Sequence, residues 1–301
     1  MLIRESTIDD VTAFSRIRYA VLPWSTASVA AQRNWFTSVP AEARQLRLTA
    51  EVDGEIVGFA MGGFNTYTKE EGVSIAAVTI DPRFRGRAIG KALYDPIEEH
   101  LRTIGTLRAQ GYAHDDPSTI AWAQRQGWTA GAAGRFSLVD PRDLPPMPET
   151  PPGTTVVSVS EVTPEALYEL DLAASADEPG DVSFDGIPFD LWMKRLWNGP
   201  DMQHELSTVA FVDGVAASFT VVEANMETGR MWSGGTSTLP EYRGCGLAKL
   251  IKSVALRKAA EAGITAALTS NDYSNGPMLA INDWLGYKVI ASDRSMLKTF
   301  S

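Results

Sequence analysis

The strongest constraint on the fold is an internal repeat that runs through the 301-residue chain. Two strand-like runs, Leu46 to Gly54 and Leu206 to Gly214, both end in Asp-Gly and lie 160 residues apart. Further elements recur in the same order: Pro82-Arg-Phe-Arg85-Gly86 as Pro240-Glu-Tyr-Arg243-Gly244 at an offset of 158, and Gly127-Trp128 as Gly286-Tyr287 at an offset of 159. Because the offset drifts by only two residues, the pattern predicts a duplicated domain.

A proline-rich segment separates the two copies. Residues 141–153 contain six prolines, which withhold backbone donors and favour an extended chain, so this segment is neither a helix nor a central strand. We therefore predict an N-terminal domain over residues 1–140, a linker over 141–153 and a C-terminal domain over 154–301. The negative charge is concentrated in the second half, since residues 1–140 hold 15 basic and 16 acidic side chains and residues 141–301 hold 12 and 21.

Within each copy, turn and helix signals alternate with strand-like runs. The Asp-Gly dipeptides predict tight hairpins, and the runs Val73 to Ile80 and Arg230 to Thr238 predict strands that lead into an Arg-Gly segment. After the second of these segments, apolar residues recur at helical spacing: Leu247, Leu250, Ile251, Val254 and Ala255. Hairpins combined with packed helices predict an α/β fold in each copy, with a mixed, largely antiparallel sheet flanked by helices.

Composition excludes several classes of protein. With 44% hydrophobic and 21% charged residues, the chain is typical of a folded globular protein. Its net charge of −10 and its lack of basic clusters disfavour nucleic acid and anionic membranes as partners. A single cysteine, Cys245, and three scattered histidines predict neither a disulfide nor a metal site. The polar start of the chain and the lack of a long apolar run predict a cytoplasmic protein without a membrane span.

The second Arg-Gly segment has the features of an anion site. It runs from a strand through two glycines into a helix, between Thr238 and Lys249. The first amides of a helix and the positive end of its dipole attract anions, and glycines let the backbone approach phosphate oxygens closely. The segment matches neither the phosphate loop of nucleoside triphosphatases nor the dinucleotide fingerprint. It therefore predicts a pyrophosphate cradle of another kind.

In this segment the chain resembles the GNAT superfamily of N-acetyltransferases. The residues Arg243-Gly-Cys-Gly246-Leu-Ala248 fit the pattern [RQ]-x-x-G-x-[GA] of its acetyl-CoA loop, and the resemblance continues through Thr269-Ser-Asn271 and Asn275. In the first copy Arg85-Gly-Arg-Ala88-Ile-Gly90 fits less well, because Ala88 stands where the family has glycine. The layout is similar to tandem GNAT proteins, which implies two GNAT domains with the first one degenerate.

The resemblance implies acetyl-CoA as the cosubstrate and assigns its contacts. In the second copy these would be Thr236, Ser237, Thr238, Arg243, Gly244, Cys245, Gly246, Leu247 and Ala248, with Asn271 and Asn275. In the first copy they would be Val78, Ile80, Arg85, Gly86, Arg87, Ala88, Ile89 and Gly90. A backbone N–H near the first three residues of the second set would polarise the thioester carbonyl.

The resemblance also implies where catalytic groups should be sought. Acyl transfer to an amine needs a proton acceptor, for which Glu223 at the end of a strand is a candidate, while Asp177 is a candidate for holding the amine. Many relatives protonate the leaving thiolate with a tyrosine seven residues after the asparagine of the last helix. Asn282 occupies that position here, so the usual acid is absent, and Tyr273 and Tyr287 are the tyrosines nearest in sequence.

The acceptor is indicated by charge. Residues 161–190 hold nine acidic side chains and no basic one, including Asp177, Glu178, Asp181 and Asp185. We therefore expect acetyl-CoA-dependent N-acetylation of a small cationic amine, a metabolite or an aminated natural product. Two alternatives stay open: a sensor or assembly module that binds CoA without turnover, and a chain in which the first copy is the working one. The sequence also leaves a homodimer open.

Overall fold

A computed structural model of the chain describes residues 1–175, 180–183 and 185–300. The strands are β1 Leu2–Glu5, β2 Leu46–Val52, β3 Glu55–Phe64, β4 Val73–Ile80, β5 Arg108–His114, β6 Thr129–Val139, β7 Thr154–Ser158, β8 Thr208–Val212, β9 Val215–Asn225, β10 Arg230–Thr238, β11 Ala266–Asp272 and β12 Lys288–Thr299. The helices are α1 Val11–Val21, α2 Val29–Thr37, α3 Ile89–Ile104, α4 Pro117–Arg125, α5 Pro164–Ser175, α6 Phe189–Trp192, α7 Leu247–Glu261 and α8 Gly276–Trp284. A π-helical turn, Met193–Trp197, continues α6.

The described residues form two compact units. The first holds those of Met1–Ala132, Asp181–Ser183 and Asp293–Ser301, and the second holds those of Ala133–Gly180 and Phe184–Ser292. The limits predicted from the sequence, 1–140 and 154–301, remain a proposal for the two repeated copies.

Each unit contains a six-stranded mixed sheet. The strand order is β1-β2-β3-β4-β5-β12 in the first unit and β7-β8-β9-β10-β11-β6 in the second. In each sheet one neighbouring pair is parallel, β4 with β5 and β10 with β11, while the other described pairings are antiparallel. The largely antiparallel α/β fold predicted from the sequence is confirmed.

The last strand of each sheet comes from the other half of the chain. The last strand of the first copy, β6, pairs through residues 134–139 with β11 of the second unit. The C-terminal strand β12 pairs through residues 293–299 with β5 of the first unit. The repeat pattern did not predict this exchange, because strand pairing is made by backbone groups that every residue carries.

Helices cover both faces of the second unit's sheet. Alternate residues of β9 point to opposite faces, so that Val222 packs in a core cluster with Leu256 of α7, while Phe219 and Val221 pack in another with Leu167 of α5. The helix α5 begins just after Thr163, whose hydroxyl accepts the Ala166 amide at 3.3 Å.

The two parallel pairs separate along their length. Strand β10 pairs with β11 only from Arg230 opposite Ala266 to Trp232 opposite Leu268, although both strands continue beyond this point. Strand β4 pairs with β5 only from residues 73 to 75. We call the opening between β10 and β11 the second fork and that between β4 and β5 the first fork. Each fork opens toward the Arg-Gly segment at the carboxyl end of its first strand.

The duplication extends to the backbone conformation of the loops that follow. Gly86 and Gly244 have φ of 75° and 77°, and Ala88 and Gly246 are the N-cap residues of α3 and α7, with φ of 60° and 87°. A left-handed backbone is unstrained for glycine but places the Cβ of alanine close to the following carbonyl oxygen. The first unit therefore retains the loop geometry at a cost in stability.

This strain predicts opposite effects for one substitution at two sites in the first unit. We expect Ala88→Gly to raise the free energy of unfolding by about 0.5–1 kcal/mol. Ala92→Gly, in the interior of α3, should lower it by about 0.5–1 kcal/mol. Urea denaturation of both variants measures the difference, and equal losses would contradict the left-handed conformation of Ala88.

Candidate active site

The loop Arg243–Ala248 of the second unit presents a free helix start. Residues 243–246 are exposed, and a Cβ added at Gly244 or Gly246 would meet no atom within 4 Å. No side chain caps the first turn of α7. Since the first amides of a helix have no intrahelical acceptor, this loop offers donors and the positive end of the α7 dipole to an anion.

The corresponding loop of the first unit, Arg85–Gly90, has the same shape. Its N-cap, Ala88, also makes no side-chain capping bond. Two differences distinguish it from the second loop: a methyl group at the N-cap, and an exposed Arg87 in the position of the exposed Cys245. Neither difference covers the backbone amides at the start of α3.

Arg243, the first residue of the family pattern, binds backbone rather than pointing away from the loop. Its Nε donates to the Thr238 carbonyl at 2.9 Å, and its Nη2 donates to the Ala174 carbonyl at 3.3 Å. The guanidinium therefore ties the loop to the end of β10 and to α5.

The edge of β10 that borders the second fork carries backbone donors. The Leu239 amide donates to Ala217 of β9 at 2.9 Å, and the Ser237 carbonyl accepts from Ser218 of β9 at 2.9 Å. Because successive peptide groups of a strand point to opposite edges, the amides of Thr236 and Thr238 point into the fork. Ser237 faces β9 instead.

The first fork has an equivalent edge. The Asp81 amide donates to Val57 of β3 at 2.8 Å, so the amides of Val78 and Ile80 point away from β3 and into the first fork. The pairing of β3 with β4 is regular from Gly58 to Phe64.

Strand β10, by contrast, contains a β-bulge. Ser233 lies opposite Val222 and Thr236 lies opposite Thr220, which leaves two residues of β10 facing one residue of β9. The two bulged residues are Gly234 and Gly235. The bulge was not predicted from the sequence, although adjacent glycines inside a strand are its usual signal.

Glu223 lies beside this bulge. It is opposite Trp232 on β10, and a Cβ added at Gly234 would lie 3.9 Å from its Oε2. Burial, and to a lesser degree the nearby charge of Asp201, raises the pKa of Glu223 to about 7. A carboxyl group with that pKa is suited to accept a proton near neutral pH.

The three asparagines of the candidate set occupy different environments. Asn275 caps α8, its Oδ1 accepting the Met278 amide at 3.3 Å. Asn282, 1% exposed, donates from Nδ2 to Oδ1 of Asn271 on β11 at 2.6 Å. The buried amide of Asn282 and the half-buried amide of Asn271 therefore bind each other next to the second fork.

The two tyrosines are placed differently. Tyr273 is 51% exposed just after β11, with its amide bonded to the Ala133 carbonyl at 3.0 Å. Tyr287 is buried in the core of the second unit, where its hydroxyl faces Ser233 of β10.

Several members of the acidic stretch have structural partners. Asp181 accepts the Ala132 amide at 2.8 Å within the first unit, Glu161 accepts the Ser158 amide at 2.9 Å, and Asp171 accepts the Trp192 indole N–H at 2.9 Å. Asp177 and Glu178 lie outside the described residues.

Asp171 also borders a cavity beside α5. The cavity has a volume of about 190 Å³ and is lined by Tyr168, Asp171, Leu172, Gly186, Ile187, Trp192 and Leu196. Phe189 and Trp192 stack at 6.2 Å, and Tyr168 meets both rings edge-on. An aromatic wall with one carboxylate suits an amine carried on an apolar body.

The described residues provide neither a membrane-spanning helix nor a cluster of metal ligands. No helix among them is both long enough and apolar enough to cross a membrane. Within the same ranges no three His, Cys, Asp or Glu side chains lie close enough together to hold a metal ion.

The raised pKa of Glu223 predicts a pH-dependent stability. Protonated Glu223 contributes stability that is complete below the ordinary pKa of about 4.5 and is lost as the pH rises through about 7. Glu223→Gln removes the charge permanently, so at alkaline pH the variant should be more stable than the natural chain by about 3 kcal/mol. Urea titrations from acid to alkaline pH measure the gap, and a constant gap would contradict the raised pKa.

Comparison with known proteins agrees with this geometry. Residues 10–128 match the Acetyltransferase (GNAT) family. A GCN5-related N-acetyltransferase from Sphaerobacter thermophilus superposes with a TM-score of 0.75 at 19% identity, covering 99% of this chain and 95% of that chain. A tandem GNAT protein from the clavulanic acid biosynthesis pathway superposes with a TM-score of 0.78 at 17% identity, covering 99% and 98%.

A third similar structure is a putative acetyltransferase from Pyrococcus horikoshii, with a TM-score of 0.62 at 14% identity, covering 100% of this chain and 89% of that chain. The family match falls on the first copy, whereas the fuller loop pattern lies in the second. Residues 10–128 thus match the model of the GNAT acetyltransferase family, and the chain as a whole has the fold of the tandem GNAT proteins.

Proposed function

We propose that the second unit is an acyl-CoA-dependent N-acyltransferase that uses acetyl-CoA and acts on a primary amine of a small, cationic acceptor. The observation that carries the proposal is the position of the loop Arg243–Ala248 at the open end of the second fork, with the Thr236 and Thr238 amides along the same opening.

The cosubstrate fits these residues. Its diphosphate needs several donors and no side-chain obstruction, which the exposed loop and its two left-handed glycines supply. Its pantetheine amides need backbone partners, which the free edge of β10 supplies in the manner of an added strand. Bound acyl-CoA would bring an acyl group activated as a thioester.

The protein's own groups would then position and deprotonate the amine. A fork amide of β10 donates to the developing oxyanion, and Glu223 beside the bulge accepts the proton from the attacking nitrogen. The thiolate can leave without a protein acid because it is a moderately stable anion. No tyrosine is therefore required at the position of Asn282.

The acceptor is proposed to lie on the α5 side of the sheet. Glu223 points to that face, since alternate residues of β9 point to opposite faces and Val222 and Ala224 pack with α7. The cavity beside α5 offers the Asp171 carboxylate and aromatic rings. The exposed Glu165 and Glu169 add negative charge to α5, which favours a cation.

Cys245 provides a test of the cradle, because it is exposed and its thiol makes only a long hydrogen bond, at 3.7 Å, to the Arg243 carbonyl. We expect Cys245→Asp to raise the KM for acetyl-CoA about tenfold, equivalent to about 1.4 kcal/mol, since a carboxylate at the helix start repels the diphosphate. Cys245→Ser is the size-matched control and should leave KM within about twofold.

The same two substitutions at the equivalent residue of the first unit test which copy is catalytically active. Arg87→Asp and Arg87→Ser occupy the equivalent exposed position and should leave turnover unchanged. If Arg87→Asp instead raises KM and Cys245→Asp does not, the active copy is the first one.

A second test concerns Glu223. Glu223→Gln should lower kcat about 100-fold with little change in the KM for acetyl-CoA, because the amide cannot accept a proton. In the natural enzyme kcat/KM should rise with pH and reach half its plateau near pH 7, in line with the pKa of about 7. The assay measures release of free CoA with a panel of cationic and neutral amines. Binding of CoA without release by any amine would favour the non-catalytic sensor.

A further inference from the structure

The core of the second unit contains a lysine that pairs with no carboxylate in the part of the chain that the structure describes. Lys252 of α7 is 2% exposed, and its Nζ donates to Oγ of Ser233 at 3.3 Å and lies 5.5 Å from the centre of the Tyr287 ring. No carboxylate pairs with it among the described residues. Burial lowers the pKa of Lys252 to about 8. An ammonium in this environment is costly unless an anion joins it.

The first unit has different side chains at the positions equivalent to Lys252 and Tyr287. At the repeat offset of 158, Tyr94 stands in the place of Lys252, and Trp128 stands in the place of Tyr287 at 159. Trp128 donates to the Tyr94 hydroxyl at 2.8 Å, and Lys298 donates to it at 3.0 Å. Lys298 in turn pairs with Glu98 at 2.9 Å. The corresponding polar cluster thus contains a carboxylate in the first unit, whereas in the second unit no described residue supplies one.

Lys252 lies at the closed end of the second fork. The last paired residues of the fork are Trp232 and Leu268, and Ser233, which Lys252 contacts, is the next residue of β10. The Oγ1 of Thr269, the next residue of β11, donates to the Ser233 carbonyl at 3.3 Å. A group that enters the fork from its open end and reaches its floor would therefore meet Lys252.

One further polar side chain lies at this end. Tyr287 is 4% exposed, and its hydroxyl faces Ser233, the same side chain that Lys252 contacts. Buried polar groups are normally satisfied, and the two donors share one small hydroxyl group. A buried ammonium and a hydroxyl in this arrangement indicate a ligand with acceptor oxygens.

We propose that the closed end of the second fork binds the terminal carboxylate of a short dicarboxylic acyl group, malonyl or succinyl, with Lys252 as its counter-ion and the Tyr287 hydroxyl as a second donor. This inference rests on the proposed function, because it takes the acyl end of the thioester to point toward the floor of the fork. It extends the acyl donors of the proposed function from acetyl-CoA to acyl-CoAs that carry a second acid group.

The geometry is compatible with turnover. Lys252 lies on the α7 face of the sheet, whereas Glu223 points to the α5 face. An acyl chain that extends toward α7 leaves the carbonyl carbon accessible from the side where the amine is proposed to bind.

The test compares malonyl-CoA with isovaleryl-CoA, in which two methyl groups replace the carboxylate oxygens at nearly the same shape. Calorimetry on the full chain should show malonyl-CoA binding about tenfold or more tightly than isovaleryl-CoA. Lys252→Met, which keeps the length of the side chain and removes its charge, should abolish this preference while free CoA binds as before. Lys249→Met is the matched control on the same helix, since Lys249 lies over the Trp284 ring at 3.6 Å, and it should retain the preference.

The outcomes separate this inference from the proposed function. If free CoA binds and malonyl-CoA shows no advantage, or if Lys252→Met keeps the advantage, the inference is wrong and the proposed function stands. If free CoA does not bind at all, the proposed function fails and the inference fails with it. Should Lys252→Met not fold, Tyr287→Phe replaces it and should reduce the preference about threefold.

Discussion

The separation of two parallel strands is the constraint on which the rest of the second unit depends. Where β10 leaves β11, the N–H groups of Thr236 and Thr238 lose a strand partner, and backbone donors removed from a ladder require another acceptor. The bulge at Gly234 and Gly235 marks the point where the strand changes register. The loop Arg243–Ala248, the start of α7 and the carboxyl group of Glu223 thus all lie along the second fork.

The two units share their backbone arrangement but differ in the side chains at equivalent positions. Both retain a fork, a left-handed loop and a helix that begins at the same position. The first unit bears strain at Ala88 and fills its core with the neutral pair Tyr94 and Trp128. The second keeps glycine at the N-cap and places Lys252 in the core. The physical differences therefore lie at the two ends of each fork.

Local sequence signals predicted the elements that depend on neighbouring residues. The Asp-Gly turns form with both residues left-handed, Asp53 at φ 52° and Asp213 at φ 49°, because this conformation suits the twist of a hairpin. The strand limits 73–80 and 230–238 agree with the predicted runs, and Asn275 caps α8. These features depend on hydrogen bonds and backbone preferences within a few consecutive residues, so they form independently of the rest of the fold.

The sequence by itself determined the duplication, the fold class and the loop that begins α7, because each follows from periodicity and from glycines at fixed places. Only the tertiary structure decided that β6 and β12 exchange sheets, because strands pair through backbone groups that are the same in every residue. It also decided that Glu223 lies beside a bulge and that Lys252 is buried without a carboxylate partner among the described residues. Burial and charge environment arise from residues distant in the chain, and they shift the pKa values of both side chains.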